Sequence, residues 1–202
     1  MLSIESFEKL LSEKFSKLFS LYQNEKYIGV NIDKKNIFLL IKFLKENTKL
    51  NFNQLIDITA IDYPYRELRF DVVYIFLSLS LNQRIVIKSS LRIKDTLESI
   101  TSLYKSANWY ERECYDLFGV KFINHPDLRR IMTDYNFEGH PLRKDFPLTG
   151  YTEVRYDNIE KKIVYEPVQL SQEYRNFDYS SPWEGLTNKL IGDEKVSKKI
   201  NK

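Results

Sequence analysis

One stretch of alternating residues most constrains the fold of this sequence. From Leu68 to Phe76 every second residue is large and apolar, within a run that spans residues 66–80. A polar turn at residues 81–83 follows, and the alternation then resumes over residues 84–90. Two alternating runs joined by a short turn predict an antiparallel hairpin. We therefore expect a sheet that contains this hairpin.

Other segments of the first 118 residues show helical spacing of their apolar residues, and two short runs alternate like strands. The predicted helices are residues 3–21, a second that begins after a cap at Asp33 and runs to about Asn47, residues 94–104 and residues 107–118, and the predicted strands are residues 27–32 and 55–59. This order of elements predicts an α+β domain over residues 1–118, with helices packed on a mixed or antiparallel sheet.

The fourth predicted helix, residues 107–118, has both end signals. Ser106 is suited to the N-cap, and Gly119 is suited to end the helix. One face carries the residues Tyr110, Cys114, Leu117 and Phe118, and the other carries most of the charged residues, Glu111, Arg112, Glu113 and Asp116. Because Arg112 and Asp116 are four residues apart, we expect them to pair on the exposed face.

After Gly119 the periodicity ends, and only residues 161–165 alternate like a strand. The segment is rich in proline, glycine and aromatic residues. Aromatic side chains are costly to leave in water, which argues against disorder. We therefore predict that residues 119–192 form an extended tail ordered on a partner protein, and that the polar residues 193–202 are frayed.

The charge balance argues against a nucleic-acid-binding arm, although a nucleic-acid binder stays an alternative class. From residue 111 onward the sequence has 15 Lys and Arg against 16 Asp and Glu, whereas binding to phosphates requires a basic excess. The longest apolar run, residues 72–77, is far shorter than the roughly 20 residues that span a bilayer. We therefore expect no nucleic-acid partner and membrane association only through partner proteins.

Metal and redox sites are not indicated by the spacing of ligand residues. Cys114 is the only cysteine, so an intrachain disulfide, a paired-cysteine motif and an iron–sulfur ligand set are excluded. Cys114, His125 and His140 are too widely spaced to indicate zinc. No dinucleotide-binding glycine pattern occurs. We expect no metal and no cofactor in this protein.

Two catalytic or binding alternatives remain on the residues alone. Carboxylates near a histidine can act as acids and bases, and the candidates are Glu111, Glu113, Asp116 and His125. A cluster of cations can bind anions, and the candidates are Arg129, Arg130, Arg143 and Lys144. Acidic residues next to these cations favour salt bridges instead, within the segment or to a partner. A small hydrolase that uses Glu113 and His125 is the alternative enzyme hypothesis.

Residues 111–132 resemble the signature of a known family, the thirty-kilodalton subunit of respiratory complex I, of the mitochondrial and alphaproteobacterial type. The matching positions are Glu111, Arg112, Glu113, Asp116, Leu117, Phe118, His125, Arg129, Ile131 and Met132. The resemblance continues through residues 133–156, which include Phe137–Pro147, and ends at residues 181–184.

The resemblance implies a cofactor-less core subunit of the quinone module, in the hydrophilic arm of a proton-pumping NADH:ubiquinone oxidoreductase. Its role would be to dock the large quinone-site subunit of forty-nine kilodaltons, with FMN and iron–sulfur clusters in partner subunits and no catalytic centre of its own. The implied location is the matrix side of the mitochondrial inner membrane, or the cytoplasmic face in a bacterium; the absence of a presequence fits either source. The expected signature and docking residues are Glu111, Arg112, Glu113, Asp116, His125, Arg129, Arg130, His140, Arg143, Lys144, Phe146, Tyr156 and Trp183.

Overall fold

The computed structural model describes residues 4–15, 19–24 and 27–172. Its elements are α1 (Ile4–Phe15), β1 (Phe19–Asn24), β2 (Tyr27–Ile32), α2 (Ile37–Glu46), β3 (Gln54–Asp62), β4 (Phe70–Ser78), β5 (Gln83–Leu91), β6 (Thr96–Glu98), α3 (Ala107–Phe118), β7 (Lys121–Ile123), β8 (Thr152–Asp157) and β9 (Lys162–Pro167). The protein divides into two compact units, of which the first ends at Tyr151 and the second begins at Thr152.

A five-stranded mixed sheet forms the centre of the first unit. Its strand order is β1-β2-β5-β4-β3, with β2 and β5 parallel and the other neighbouring strands antiparallel. The predicted hairpin is β4 and β5, which pair in register from Phe70 opposite Leu91 to Ser78 opposite Gln83. The predicted α+β class with helices on a mixed sheet is therefore confirmed.

One face of this sheet carries the hydrophobic core. The inward residues of β4 are those of the predicted alternation, and they pack with the apolar stripes of the helices. Members of this cluster are Phe7, Leu11, Phe15, Ile37, Leu40, Ile41, Leu44, Phe70, Val72, Tyr74, Phe76, Ala107, Cys114 and Phe118. Burial of one large apolar residue contributes about 1.5–3 kcal/mol to the stability of the fold.

Two boundaries near the N-terminus differ from the prediction. The first helix ends at Phe15 and the backbone continues as β1 from Phe19, so the helix predicted to residue 21 is too long. Asp33 does not cap α2, because a turn follows it and the helix begins at Ile37 with Asn36 as its N-cap. Pairing of β1 along the whole of β2 outweighs the local helical spacing in this segment.

The helix predicted over residues 94–104 is wrong. The segment contains β6 and turns, and Leu97 lies opposite Phe122 in a parallel pair formed with β7. Tyr104 is buried, and its hydroxyl donates to the carbonyl of Phe52. These long-range contacts bury the apolar residues that produced the helical spacing. The strands β6 and β7 are joined through α3, which is the crossover connection that parallel strands require.

The helix α3 confirms the predicted bounds, residues 107–118. Gly119 adopts φ +80°, and its N–H bonds to the carbonyl of Tyr115, as expected for a left-handed C-terminal residue. Ser106 occupies the N-cap position but makes no side-chain hydrogen bond to the helix.

The described part of the predicted tail divides between the two compact units. The α+β domain is predicted to end at Phe118, whereas the first compact unit runs on to Tyr151. In the second unit, β8 and β9 form an antiparallel hairpin, which contains the predicted strand. Residues 173–202, including the predicted frayed end, lie outside the described residues. Among the helices of the described residues, none has the length and apolar character needed to cross a bilayer.

Candidate functional site

Two acidic residues of α3 are fully buried, against the expectation that they lie on an exposed face. Glu111 and Asp116 are both 0% exposed. A buried carboxyl must be protonated, paired or hydrogen-bonded, because transferring an isolated charge out of water is very costly. The groups around these two residues therefore define the candidate site.

The carboxylate of Asp116 holds the loop that follows β7. Its Oδ2 accepts the backbone N–H groups of Ile131, Met132 and Thr133 at 3.0, 2.7 and 2.9 Å. Its Oδ1 accepts from the hydroxyl of Thr133 at 2.6 Å and from Nη1 of Arg130 at 2.7 Å. Burial alone would raise the pKa of Asp116, but the bonds from Thr133 and Arg130 outweigh it and hold that pKa well below its usual range. Asp116 is thus a buried anion with its acceptor sites occupied.

The neighbouring arginines complete the attachment of this loop. Arg112 donates from Nε and Nη2 to the carbonyls of Arg129 and Arg130 at 3.1 and 3.0 Å. The expected pairing of Arg112 with Asp116 is therefore wrong, because each of the two binds the loop instead. Arg130 also donates to the carbonyl of Gly139 at 3.1 Å. Arg129 pairs with Asp127 at 2.9 Å, and its side chain is 58% exposed.

Glu111 lies in a different kind of environment. Its Oε1 accepts the N–H of Ile100 at 2.8 Å, and its Oε2 lies 2.6 Å from Oγ of Ser99. Burial raises the pKa of Glu111 to about 7, against the opposing effect of these two hydrogen bonds. Nε2 of His125 is 3.9 Å from Oε2 of Glu111, which is too long for a hydrogen bond.

The hydrogen bonds of His125 define its tautomer. Nδ1 accepts the N–H of Asp127 at 3.0 Å, so Nδ1 carries no hydrogen. Nε2 therefore carries the hydrogen and donates to the carbonyl of Asn108 at 3.2 Å. The imidazole beside Glu111 is thus oriented by backbone groups on both sides.

The C-terminal end of α3 is closed by side chains from residues 140–143. His140 donates from Nδ1 to the carbonyl of Asp116 at 2.8 Å, and Arg143 donates from Nε to the carbonyl of Phe118 at 2.6 Å. Helix ends leave carbonyls without intrahelical partners, and cations are favoured there. Burial lowers the pKa of His140, and the charges of Arg143 and Arg130 lower it further.

A second buried ion cluster attaches the following residues to the sheet. Arg69 forms a two-pronged bond with Asp62, at 2.6 and 2.8 Å, and also donates to Asp145 at 2.9 Å. The N–H of Lys144 donates to Asp62 at 2.8 Å. The hydrogen bonds from Arg69 hold the pKa of Asp62 below its usual value, although burial opposes this. Residues 140–146 are therefore fastened to α3 and to the β3–β4 edge.

The residues of both ion clusters lie in a segment that matches a known protein family. The sequence profile described as "Respiratory-chain NADH dehydrogenase, 30 Kd subunit" matches residues 30–152, which include α3 and both ion clusters. This chain belongs to that family. The predicted family is therefore confirmed, and with it the prediction that the protein is a subunit of an oxidoreductase.

Relatives from two bacteria align with most of this sequence. The C subunit of the NADH-quinone oxidoreductase of Ruegeria pomeroyi is 57% identical over 168 residues, 83% of this protein and 84% of the relative. The relative of the same name from Cereibacter sphaeroides is 60% identical over 157 residues, 78% of each sequence. A chain in the structure of the membrane-bound sulfane sulfur reductase, an archaeal respiratory membrane complex, superposes with a TM-score of 0.61 at 25% identity. That superposition covers 71% of this protein and 85% of the other.

In this family member, the polar residues near α3 serve to hold the fold together. His125 faces Glu111 and not Glu113, so the pair required for the hydrolase hypothesis is not formed. Cys114 is buried, its thiol donates to the carbonyl of Ile58, and burial raises its pKa well above the usual value. Within residues 4–15, 19–24 and 27–172, no group of three His, Cys, Asp or Glu residues could hold a metal ion.

The structure brings most of the expected docking residues into contacts within the protein itself. Phe146 packs against Phe137 and Tyr151, with ring centroids 5.7 and 5.4 Å apart. Tyr156 is 57% exposed on β8, and Trp183 lies outside the described residues. Docking by the cationic and aromatic residues stays a prediction. Salt bridges within the segment were one of the predicted alternatives, and Arg129 forms one with Asp127. The partners of Arg130 and Arg143 on α3 were not predicted.

Sequence reasoning missed four polar residues that complete the ion clusters and the Glu111 environment. They are Asp62, Arg69, Ser99 and Thr133. A charged residue within the apolar alternation and directly before β4 was the available signal for Arg69. The others carry no local pattern, because their partners lie far away in sequence.

Proposed function

We propose that this protein is a cofactor-less core subunit of an NADH:quinone oxidoreductase and that it docks the large quinone-site subunit in the quinone module. It takes part in electron transfer only by holding that module together. Two observations support a docking role without chemistry of its own. The relatives are named as subunits of such a complex, and the described polar clusters are engaged in bonds within the protein. Contact with the membrane would come through partner subunits, on the matrix side in a mitochondrion or the cytoplasmic face in a bacterium.

The observation that carries the docking proposal is the exposed apolar face of the β8–β9 hairpin. Cross-strand partners share a face, so Val154 lies beside Tyr165, and Tyr156 lies beside Ile163. These four residues are 56–62% exposed. The opposite face carries the ion pair of Arg155 with Glu166.

An isolated two-stranded hairpin is marginally stable in water, and it needs an apolar face packed on something else. A partner that covers this face would gain about 1–2 kcal/mol for each side chain, since more than half of each is exposed. Tyr156 thereby keeps the docking role that the resemblance implies for it. The partner surface that fits is a flat apolar patch rather than a charged one.

The test replaces the apolar face while the strands are kept. Threonine favours strands, so Tyr156→Thr with Ile163→Thr removes apolar contact and retains the hairpin. Cells that lack the native protein are complemented with the variant, and the assembled complex is measured on native gels together with NADH:quinone reductase activity. We expect both to fall together, with the quinone-site subunit lost from complexes purified through the variant.

The matched control changes the opposite face of the same hairpin. Arg155→Thr with Val164→Thr makes the same number of substitutions on the same two strands, and we expect assembly close to that of the wild type. Unchanged assembly and activity in the apolar-face variant would refute docking through the hairpin.

A further inference from the structure

A groove on the first unit involves no residue of the hairpin or of the second ion cluster. It lies between α3 and the loop held by Asp116 and has a volume of about 440 Å³. Trp109 and Tyr110 form one wall, Ile131 and Met132 form the other, and Lys105 and Glu113 also line it. Trp109 is 70% exposed and Met132 is 65% exposed.

Both walls of this groove are fixed by bonds already described. Asp116 binds the N–H groups of Ile131 and Met132, and the other wall is an α-helix. Because the backbone of both walls is already held, a partner that binds there has little backbone to order. Trp is among the residues that contribute most to interfaces, and Met adapts to irregular partner surfaces.

The backbone of the walls limits what can occupy the groove. The N–H groups of residues 131–133 bind Asp116, and the carbonyls of residues 129 and 130 bind Arg112. The wall at residues 131–133 therefore has no free N–H group to pair with a partner strand, which favours an occupant that satisfies its own backbone, as an α-helix does.

Charges at the groove set the direction of the occupant. Lys105 lies two residues before α3 and Glu113 lies about two turns along it, roughly 10–12 Å away at 1.5 Å per residue. Neither residue has an ion-pair partner within 4.0 Å among the described residues. An occupant with an acidic residue at the Lys105 end and a basic residue at the Glu113 end would complement both charges.

We propose that this groove binds an amphipathic helix of another subunit of the complex, with apolar residues at i, i+3 or i+4 and i+7 facing Trp109 and Met132, an acid near Lys105 and a base near Glu113. The inference rests on the proposed function, because it requires the protein to be part of a complex. It adds a second interface, which belongs to the first unit and does not involve the β8–β9 hairpin.

The experiment places a photo-crosslinking residue in the groove of the assembled complex. Trp109→p-benzoylphenylalanine and Met132→p-benzoylphenylalanine are expressed in complemented cells, and crosslinked peptides are identified in the purified complex by mass spectrometry. Tyr65→p-benzoylphenylalanine is the control, because Tyr65 is fully exposed in the β3–β4 loop. We expect both groove positions to crosslink one helical segment of another subunit with the stated charges, and the control not to crosslink that segment.

A charge reversal then tests the orientation. Glu113→Lys should lower the yield of assembled complex about tenfold or more, the loss expected when an interface contact of about 1.4 kcal/mol or more is broken. Replacing the facing basic residue of the crosslinked helix with Glu should restore it. Circular dichroism of the variant shows whether the fold is kept, and the crosslinks do not depend on this substitution.

Each other outcome contradicts the inference. Crosslinks to residues 173–202 of the same protein, to a second copy or to lipid identify a different occupant, and the absence of crosslinks in the complex shows an open surface. These results would leave the proposed function intact, since the protein would still co-purify with the complex. A protein that never co-purifies overturns both proposals.

Discussion

Replacing Glu111 with glutamine tests whether the buried carboxyl of α3 is held in its protonated form. Burial raises the pKa of Glu111 from 4.5 to about 7. One pKa unit corresponds to about 1.36 kcal/mol, so this difference corresponds to roughly 3 kcal/mol. That amount is a large fraction of the roughly 5–15 kcal/mol by which domains are stable.

The sign of the effect follows from the direction of the shift. Because the pKa is higher in the folded protein than in the unfolded one, folding favours the protonated carboxyl. The contribution is complete below pH 4.5 and is lost as the pH rises through about 7. Above that pH the carboxyl of Glu111 either stays charged inside the fold, where its contacts include no cation, or takes up a proton.

Glutamine reproduces the protonated form in the same volume. Its carboxamide oxygen can accept the N–H of Ile100, and its nitrogen can donate to Oγ of Ser99, at the positions that the two carboxyl oxygens occupy. The hydroxyl of Ser99 is then free to donate to Thr101, whose Oγ1 is 2.8 Å away. The variant keeps the hydrogen bonds and removes the titration.

Urea unfolding of the full-length protein at about pH 5 and about pH 8.5, followed by circular dichroism, measures the effect. We expect Glu111→Gln to be more stable than the wild type by about 2–3 kcal/mol at the higher pH and nearly equal to it at the lower pH. Glu113→Gln, on the same helix in a half-buried position, is the control and should change stability by less than about 0.5 kcal/mol at either pH. A variant less stable than the wild type at about pH 8.5 would show that Glu111 acts as a bound carboxylate, and the reasoning would be refuted.

Two further substitutions test the attachment of the loop to α3. Asp116→Asn should lower the free energy of unfolding by about 3–5 kcal/mol near neutral pH, because it leaves Arg130 without its anion. Since the pKa of Asp116 is lowered in the folded protein, the difference from the wild type in urea unfolding should shrink as the pH falls below 3.8, and an equal loss of stability at low and neutral pH would contradict this. Gly119→Ala should lower the free energy of unfolding by at least about 1–2 kcal/mol, because an alanine is strained at the left-handed φ of +80°. The added Cβ would also lie 2.1 Å from Nη2 of Arg143, so hydrogen exchange should show residues 140–146 less protected, and unchanged protection would contradict the contact.

The parts of the fold that could be predicted are those whose pattern is complete within a short segment. The alternation of β4, the turn and the return strand β5 follow one another directly and require no distant partner to be recognised. The helix α3 carries its own apolar face and its own end signal at Gly119. In both cases the residues that decide the structure are neighbours in sequence.

The parts that could not be predicted depend on contacts between distant segments. Residues 94–104 have helical spacing, but Leu97 is buried by pairing with Phe122, which lies beyond the whole of α3 in sequence. The same reason explains the buried acids. Glu111 and Asp116 look like residues of a solvated helix face until Ser99 and the loop at residues 131–133 are brought over them by the fold.

The buried acids of the family signature differ in role from the exposed apolar residues that we propose for docking. A buried carboxylate such as Asp116 requires matching donors at fixed positions, and its loss leaves charges unpaired inside the fold. Such residues therefore form a recognisable pattern even though their bonds lie within the protein. A docking surface needs mainly apolar character and shape, which Trp109, Met132 and Tyr156 supply with more than half of each residue exposed. Substituting the signature acids should consequently reduce assembly by weakening the fold, whereas substituting the exposed apolar residues should reduce assembly in a protein that remains folded.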